Sequence, residues 1–176
     1  MGTRGITEVV FQNQIVVSQY GQWDHYPMGQ GLDVLNFLRD LSNIEKLKRN
    51  LPLVYEVSGE TIDLLYRKHG NNFETLYPSL TRDAGAKVLE IIANAETKVP
   101  FYLDKDFKTE RLFCEGVFEI NLDEQTFTTR TNRYENPLDE DVLTLSFLEC
   151  LTIDDHEYLT RAKCGAYAYK LENAQK

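Results

Sequence analysis

Two short runs rich in β-branched and aromatic residues open the chain, Ile6 to Phe11 and Gln14 to Tyr20. Gln12-Asn13 between them suits a tight turn. That arrangement predicts a hairpin. From Gly21 to Gly31 the alternation gives way to a turn-rich stretch holding Trp23, Asp24, His25, Tyr26 and Pro27. Leu32, Leu35, Leu38 and Leu41, with Val34 and Phe37 beside them, then recur at helical spacing. The pattern predicts one helix that continues through Glu45 to Lys48 and stops before Pro52.

Leu53 to Val57 reads as a short strand. Ser58 to Gly70 reads as a helix, with Ser58 as its cap, Ile62, Leu65 and Tyr66 along one side, and Gly70 as its end. Asn71 to Ser79 reads as a loop. Thr81 then suits the N-cap of a helix over Arg82 to Ala95, with Val88, Leu89, Ile92 and Ala95 on one face. Leu112 to Asn121 alternates as a strand, Asp123-Glu124 turns, and Thr126 to Thr131 returns as a second hairpin.

The stretch from Leu138 to Leu151 carries two signals. Asn136-Pro137 before Asp139, Glu140 and Asp141 suits a helix start. Val142 to Phe147 alternates like a strand, which is the expectation adopted, followed by a short helix near Asp154 to Lys163. The tail after Leu171 is expected to fray. Hairpin, helices, hairpin and a mixed end make an α+β pattern. We expect residues 1–176 to form a single domain, with a mostly antiparallel sheet built from two hairpins and packed with about three to four helices.

Composition narrows the class. A chain of 176 residues can bury a core without disulfides or metals. Its 42% hydrophobic and 27% charged residues are those of a globular protein rather than a disordered one. The start lacks the apolar run of a signal peptide. No apolar stretch approaches the roughly 18 residues of a membrane helix. A cytoplasmic protein without membrane contact is therefore expected. Cys114, Cys150 and Cys164 form no paired metal-ligand motif and read as reduced thiols. No metal and no cofactor is expected.

Charge changes the picture more. Lys+Arg is 19 and Asp+Glu is 28, a net charge of −9. Tyr134 to Thr160 holds eight acids and no Lys or Arg, so nearly all of the excess lies there. A generic nucleic-acid coater is excluded, because phosphate affinity is mostly positive charge; a local patch is not. Such a run is usually a solvated face. Its functional reading is a surface of Glu135, Asp139, Glu140, Asp141, Asp154 and Asp155 that docks on a basic protein.

If residues 6 to 20 form a hairpin, the chain start and the Trp23-to-Pro27 loop lie at the same end of the sheet. Thr3, Arg4, Asp24, His25 and Tyr26 then become one candidate site. His25 titrates near neutrality and suits a general acid or base. Arg4 suits a phosphate clamp. Trp23 and Tyr26 suit stacking on bases. Asp24 suits orienting His25. The competing reading is that this loop packs the sheet end and caps the first helix. Walker A, G-x-G-x-x-G, H-E-x-x-H and G-x-S-x-G motifs are all missing.

Three segments together resemble a family of small phage and bacterial proteins. They are Met1-Gly-Thr-Arg-Gly5, Tyr20-Gly-Gln-Trp-Asp-His-Tyr-Pro27 with Gly29 and Gly31, and Leu112-Phe-Cys-Glu115 leading into Ile120-Asn-Leu-Asp123. Leu80-Thr-Arg-Asp-Ala-Gly85 fits the same pattern. One departure is Gly116-Val117-Phe118 where such proteins tend to carry Trp-Ala-Tyr. Within that group the chain is similar to type II-A anti-CRISPR proteins that truncate the guide RNA of Cas9. The resemblance implies Cas9 and its guide RNA as partners and a possible ribonuclease function. His25 and Tyr26 would then serve as base and acid, Arg4 as the phosphate cation, and Trp23 with Arg4 as the RNA-binding pair. The alternatives are a non-catalytic acidic inhibitor that blocks Cas9 nucleic-acid binding, and a small hydrolase or ligand-binding protein unrelated to defence.

Overall fold

The computed structural model describes residues 3–104, 106–110, 112–132 and 140–163. The first hairpin forms as its pattern predicts. β1 (Gly5–Phe11) pairs antiparallel with β2 (Gln14–Gly21). Gln12 and Asn13 both adopt positive φ, the conformation that a two-residue hairpin turn requires. The second hairpin joins β5 (Gly116–Asn121) to β6 (Thr126–Asn132), and β7 (Glu140–Ser146) adds to the far side of β6.

The protein is α+β, but the sheet is not simply two hairpins in antiparallel array. Its five strands run in the order β2-β1-β5-β6-β7, and β1 pairs with β5 in parallel. The helices between β2 and β5 form a long crossover, which is what a parallel neighbour requires. A separate two-stranded parallel sheet, β3 (Val54–Glu56) with β4 (Val99–Phe101), lies within that crossover.

Parallel pairing of β1 and β5 puts the turns of both hairpins at one end. There the Asp123 carboxylate accepts from the backbone amides of Gln12 and Asn13 at 3.0 and 2.9 Å. Those two bonds, Asn13's first, hold the Asp123 carboxyl below the usual carboxylate range.

The helices are more broken than their apolar periodicity suggests. The single helix expected over Leu32 to Lys48 is split into α1 (Leu32–Leu38) and α2 (Leu41–Asn50). Asp40 leaves the helical region, and its carboxylate caps α2 by accepting from the Ser42 amide at 2.8 Å. α3 (Gly59–His69) matches its expected span, with Ser58 as N-cap. The expected loop after it holds one short helix, α4 (Phe73–Leu76).

The helix expected from Arg82 starts later, as α5 (Lys87–Ala93), because Gly85 takes a positive φ. β7 ends at Ser146, where a reciprocal cap between Ser146 and Glu149 starts α6 (Phe147–Thr152). Asp154 caps α7 (Asp155–Arg161), within the expected span. The expectation for the tail after Leu171 lies outside the described residues.

Side chains on one face of the sheet, among them Val9, Val17, Phe118, Ile120, Phe127 and Leu145, form the core with the buried faces of α1, α5, α6 and α7. Each fully buried residue of this size contributes about 1.5–3 kcal/mol through removal from water. Tyr158 of α7 is wholly buried, and its hydroxyl bonds Thr129 Oγ1 at 2.9 Å. The opposite face is partly roofed by Asp104, Phe107 and Lys108. Asp104 donates to the Ser18 carbonyl, and Phe107 packs edge-on against Tyr20 with ring centroids 4.9 Å apart. Lys108 Nζ lies 3.0 and 3.1 Å from the two oxygens of Glu8, which is 1% exposed.

Candidate functional site

The chain start and the Trp23-to-Pro27 loop do meet at one end of the sheet. The His25 amide donates to the Thr3 carbonyl at 3.0 Å, and the Glu115 amide donates to the Arg4 carbonyl at 2.8 Å. The loop is pinned on its other side as well. The Gln22 amide donates to the Arg82 carbonyl at 2.9 Å, and Trp23 Nε1 donates to the Asp83 carboxylate at 3.0 Å. Asp24 adopts a positive φ, and its carbonyl accepts from both the Tyr26 and Gln30 amides at 2.8 Å. A Cβ on Gly29 would collide with that carbonyl, so the turn needs glycine there.

His25 is completely buried. Its ring lies over Gly5 and Gly21, and its carbonyl over Gly116; a Cβ at any of the three would overlap it. Phe118 stacks against the ring, with centroids 5.9 Å apart and planes 28° off parallel. Nδ1 is 3.2 Å from the Trp23 carbonyl. Burial drives the His25 pKa down to about 4, while the bond to Trp23 and the Asp24 charge act weakly the other way.

His25 and Arg4 of the expected catalytic set lie on different faces of the sheet. Along a strand, successive side chains point to opposite faces. Gly5 and Gly21 face His25, so Arg4 and Tyr20, their chain neighbours, stand on the other face. The guanidinium of Arg4 accordingly lies 5.0 Å over the Phe113 ring, near enough to the Tyr20 hydroxyl for its charge to act on it. Asp24 and Tyr26 partner each other, hydroxyl to carboxylate at 3.1 Å. Thr3 meets His25 through its backbone carbonyl. His25 is buried and the Arg4 guanidinium lies on the other face, so these two do not share one accessible space. The reading in which this loop packs the sheet end is the one that the geometry fits.

What the sheet end presents outward is an aromatic patch with Arg4 and Arg82, interleaved with the carboxylates of Asp83 and Asp104. Burial raises the Tyr20 pKa, and the positive charges of both Arg4 and Arg82 pull it back down. The Tyr20 hydroxyl also donates to Gln22 Oε1 at 2.6 Å. Phe113 is 48% exposed and Trp23 49%, so aromatic surface flanks the two arginines. Sequence reasoning found Arg4 and Trp23 but missed Arg82, Tyr20 and Phe113. The strand alternation that pairs Tyr20 with Arg4 on one face was the available signal for Tyr20.

The acidic segment is largely engaged locally. Asp155 is 2.8 Å from Arg39, and Asp141 is 3.2 Å from Lys163. Arg161 lies 3.5 Å from both Glu149 and Glu157. Asp154 accepts from the Glu157 amide as a helix cap. Glu140 begins β7, opposite Asn132. Glu135 and Asp139 lie outside the described residues. Among the described residues, these carboxylates cap helices and form ion pairs, and Asp155, Glu149 and Glu157 stay about half exposed.

Neither buried cysteine suits nucleophilic chemistry: burial pushes the Cys114 and Cys150 thiols up to about 12. Among the described residues no three His, Cys, Asp or Glu side chains are grouped to hold a metal ion. No described helix is long and apolar enough to cross a membrane. In comparisons with known proteins, no family model, no curated protein and no solved structure matches this chain.

Proposed function

We propose that this protein binds single-stranded nucleic acid at its sheet end without cutting it. The observation that carries the reading is that Arg4 stacks on the half-exposed Phe113 ring and that the charges of Arg4 and Arg82 both reach Tyr20, against that of Asp104, near the exposed ring of Trp23. Guanidinium groups hold phosphates by paired hydrogen bonds, and exposed aromatic rings stack on bases of any sequence. A net charge of −9 opposes long-range attraction to nucleic acid, so binding rests on these local contacts and weakens steeply with salt. Chemistry is left out of the proposal because His25, its best acid–base group, is sealed beneath Phe118 and the strand glycines.

The motif resemblance suggests which strand to try first, the guide RNA of a type II-A Cas9. On this reading the protein clamps the guide and keeps it from pairing with its target. The test is end-labelled guide RNA incubated with the protein, with and without Cas9, and resolved on native and denaturing gels. The expected result is a retarded band on the native gel, an intact guide on the denaturing gel, and no retardation with an Arg4→Ala/Arg82→Ala variant. A discrete shorter guide would replace this reading with a nuclease. No retardation at low salt would remove nucleic-acid binding altogether.

A further inference from the structure

Three buried side-chain atoms find no hydrogen-bond partner among the described residues: Thr7 Oγ1, Gln19 Oε1 and His25 Nε2. They are neighbours by register. Thr7 and Gln19 face each other across the β1–β2 pair, and the next pair on the same face is Gly5 with Gly21, which the His25 ring covers. Phe118 pairs with Thr7 from β5 and stacks on His25, closing the third side. One same-face step along a strand is about 7 Å, so the Thr7–Gln19 pair and the His25 ring are next neighbours on this face.

The hydrogen-bond polarity of this nook is fixed by its surroundings. Gln19 Nε2 donates to the carbonyls of Tyr20 and Thr81 at 2.8 and 3.2 Å. Those oxygens accept only, so the amide cannot flip and the unpartnered Oε1 is an acceptor. His25 Nδ1 faces the Trp23 carbonyl and therefore carries the proton. That leaves Nε2 as a bare acceptor. Thr7 supplies one hydroxyl hydrogen for two acceptors. Direct contact with either Gln19 or His25 leaves the other bare in a buried place, which native structures avoid.

We propose that a single ordered water is sealed in this nook, accepting from Thr7 Oγ1 and donating to Gln19 Oε1 and His25 Nε2. A water has the two donors that the protein lacks there, and one acceptor for the hydroxyl that remains. It joins three parts of the chain: the first hairpin through Thr7, the Thr81 turn through Gln19, and the loop through His25. This inference is independent of nucleic-acid binding.

Nuclear magnetic resonance on the intact protein tests it. The His25 ring nitrogens should show Nδ1 protonated and Nε2 bare. The His25 ring protons and the Thr7 methyl should show cross-peaks to a long-lived water. Thr7→Val keeps the side-chain shape and removes the one hydroxyl that the water accepts from, so the water should exchange faster and those cross-peaks should weaken. A protonated Nε2, the lack of a long-lived water in the unaltered protein, or unchanged cross-peaks in Thr7→Val would each overturn the proposal. The first two readouts use the unaltered chain, so they decide the matter even if Thr7→Val does not fold.

Discussion

The amide of His25 donates to the carbonyl of Thr3 at 3.0 Å, and that one bond fastens the loop to the chain start just before β1 begins. The bond is between backbones, so it does not depend on what either side chain can do. With the ring of His25 lying over Gly5 and Gly21, it makes the residue a keystone between loop and hairpin. Residue types alone suggested a reactive group here. Burial and contacts give a structural one.

Substitution of the glycines under the ring tests that role. A Cβ at Gly21 would overlap His25 Cε1, whereas a Cβ at Gly59 meets nothing within 4 Å. Gly21→Ala is therefore expected to destabilise the protein by about 2–4 kcal/mol, within the range for overpacking plus backbone displacement. Gly59→Ala, at the start of α3, is expected to stabilise by about 0.4–1 kcal/mol through the unfolded chain. Urea unfolding midpoints of the two variants should move in opposite directions. Equal tolerance at both positions would mean that the ring is not packed as described.

Acid should weaken the fold in two adjoining windows. His25 has a folded pKa lowered to about 4, against an ordinary value near 6.5. Between those values the unfolded chain binds the proton and the folded one does not, so stability falls as pH drops from about 6.5 toward 4. A shift of this size corresponds to about 3 kcal/mol by linkage. The lowered carboxyls of Asp40, Asp123 and Glu149 lose their contribution as pH falls from their ordinary values of 3.8 to 4.5, at and below the foot of that window. Chemical denaturation across pH 4 to 7 should show the first slope, and His25→Phe should flatten it. A slope equal in both proteins would assign it to other groups.

Much of this architecture is readable from residue patterns, and the failures have particular causes. The β-rich runs around Gln12-Asn13 announced the first hairpin, and the position of that hairpin correctly brought the chain start to the loop. The parallel union of β1 with β5 depends on how the intervening helices pack, which no local pattern encodes. Gly85 stops α5 from starting early because the Gln30 side chain occupies the space beside it and accepts from the Ala86 amide at 2.6 Å, a tertiary cause. Ser146 and Glu149 were a legible cap, overshadowed by the alternation from Val142. Arg4 and His25 looked like partners because they are close along the sheet end; the two faces of the sheet divide them.

The ion pair of Lys108 with Glu8 should matter more than a surface pair. Glu8 is 1% exposed and Lys108 is 32% exposed. Removing only the lysine leaves a carboxylate enclosed with Ser18 Oγ at 3.3 Å as a weak remaining partner. Lys108→Met is expected to cost about 2–3 kcal/mol, somewhat below the range for fully buried pairs because water reaches the lysine. Glu8→Gln/Lys108→Met should recover part of that loss, since no buried charge is then stranded. A double variant no more stable than the single one would show that charge is not the source of the cost.

Salt dependence gives the sharpest view of the patch. Each phosphate contact that a guanidinium makes releases condensed counterions, and for single strands the logarithm of affinity falls with the logarithm of salt by about 0.7 per contact. If Arg4 and Arg82 each hold one phosphate, Arg4→Ala and Arg82→Ala should each lower the slope by roughly that amount. Trp23→Ala removes stacking instead, so it should weaken binding by about 1–3 kcal/mol and leave the slope unchanged. Fluorescence anisotropy with a labelled single-stranded RNA at several salt concentrations separates the two effects. An arginine variant that loses affinity at constant slope would mean that Arg4 or Arg82 supports Tyr20 and Phe113 rather than touching the strand. A Trp23 variant with a changed slope would mean that its ring positions a cation, not a base.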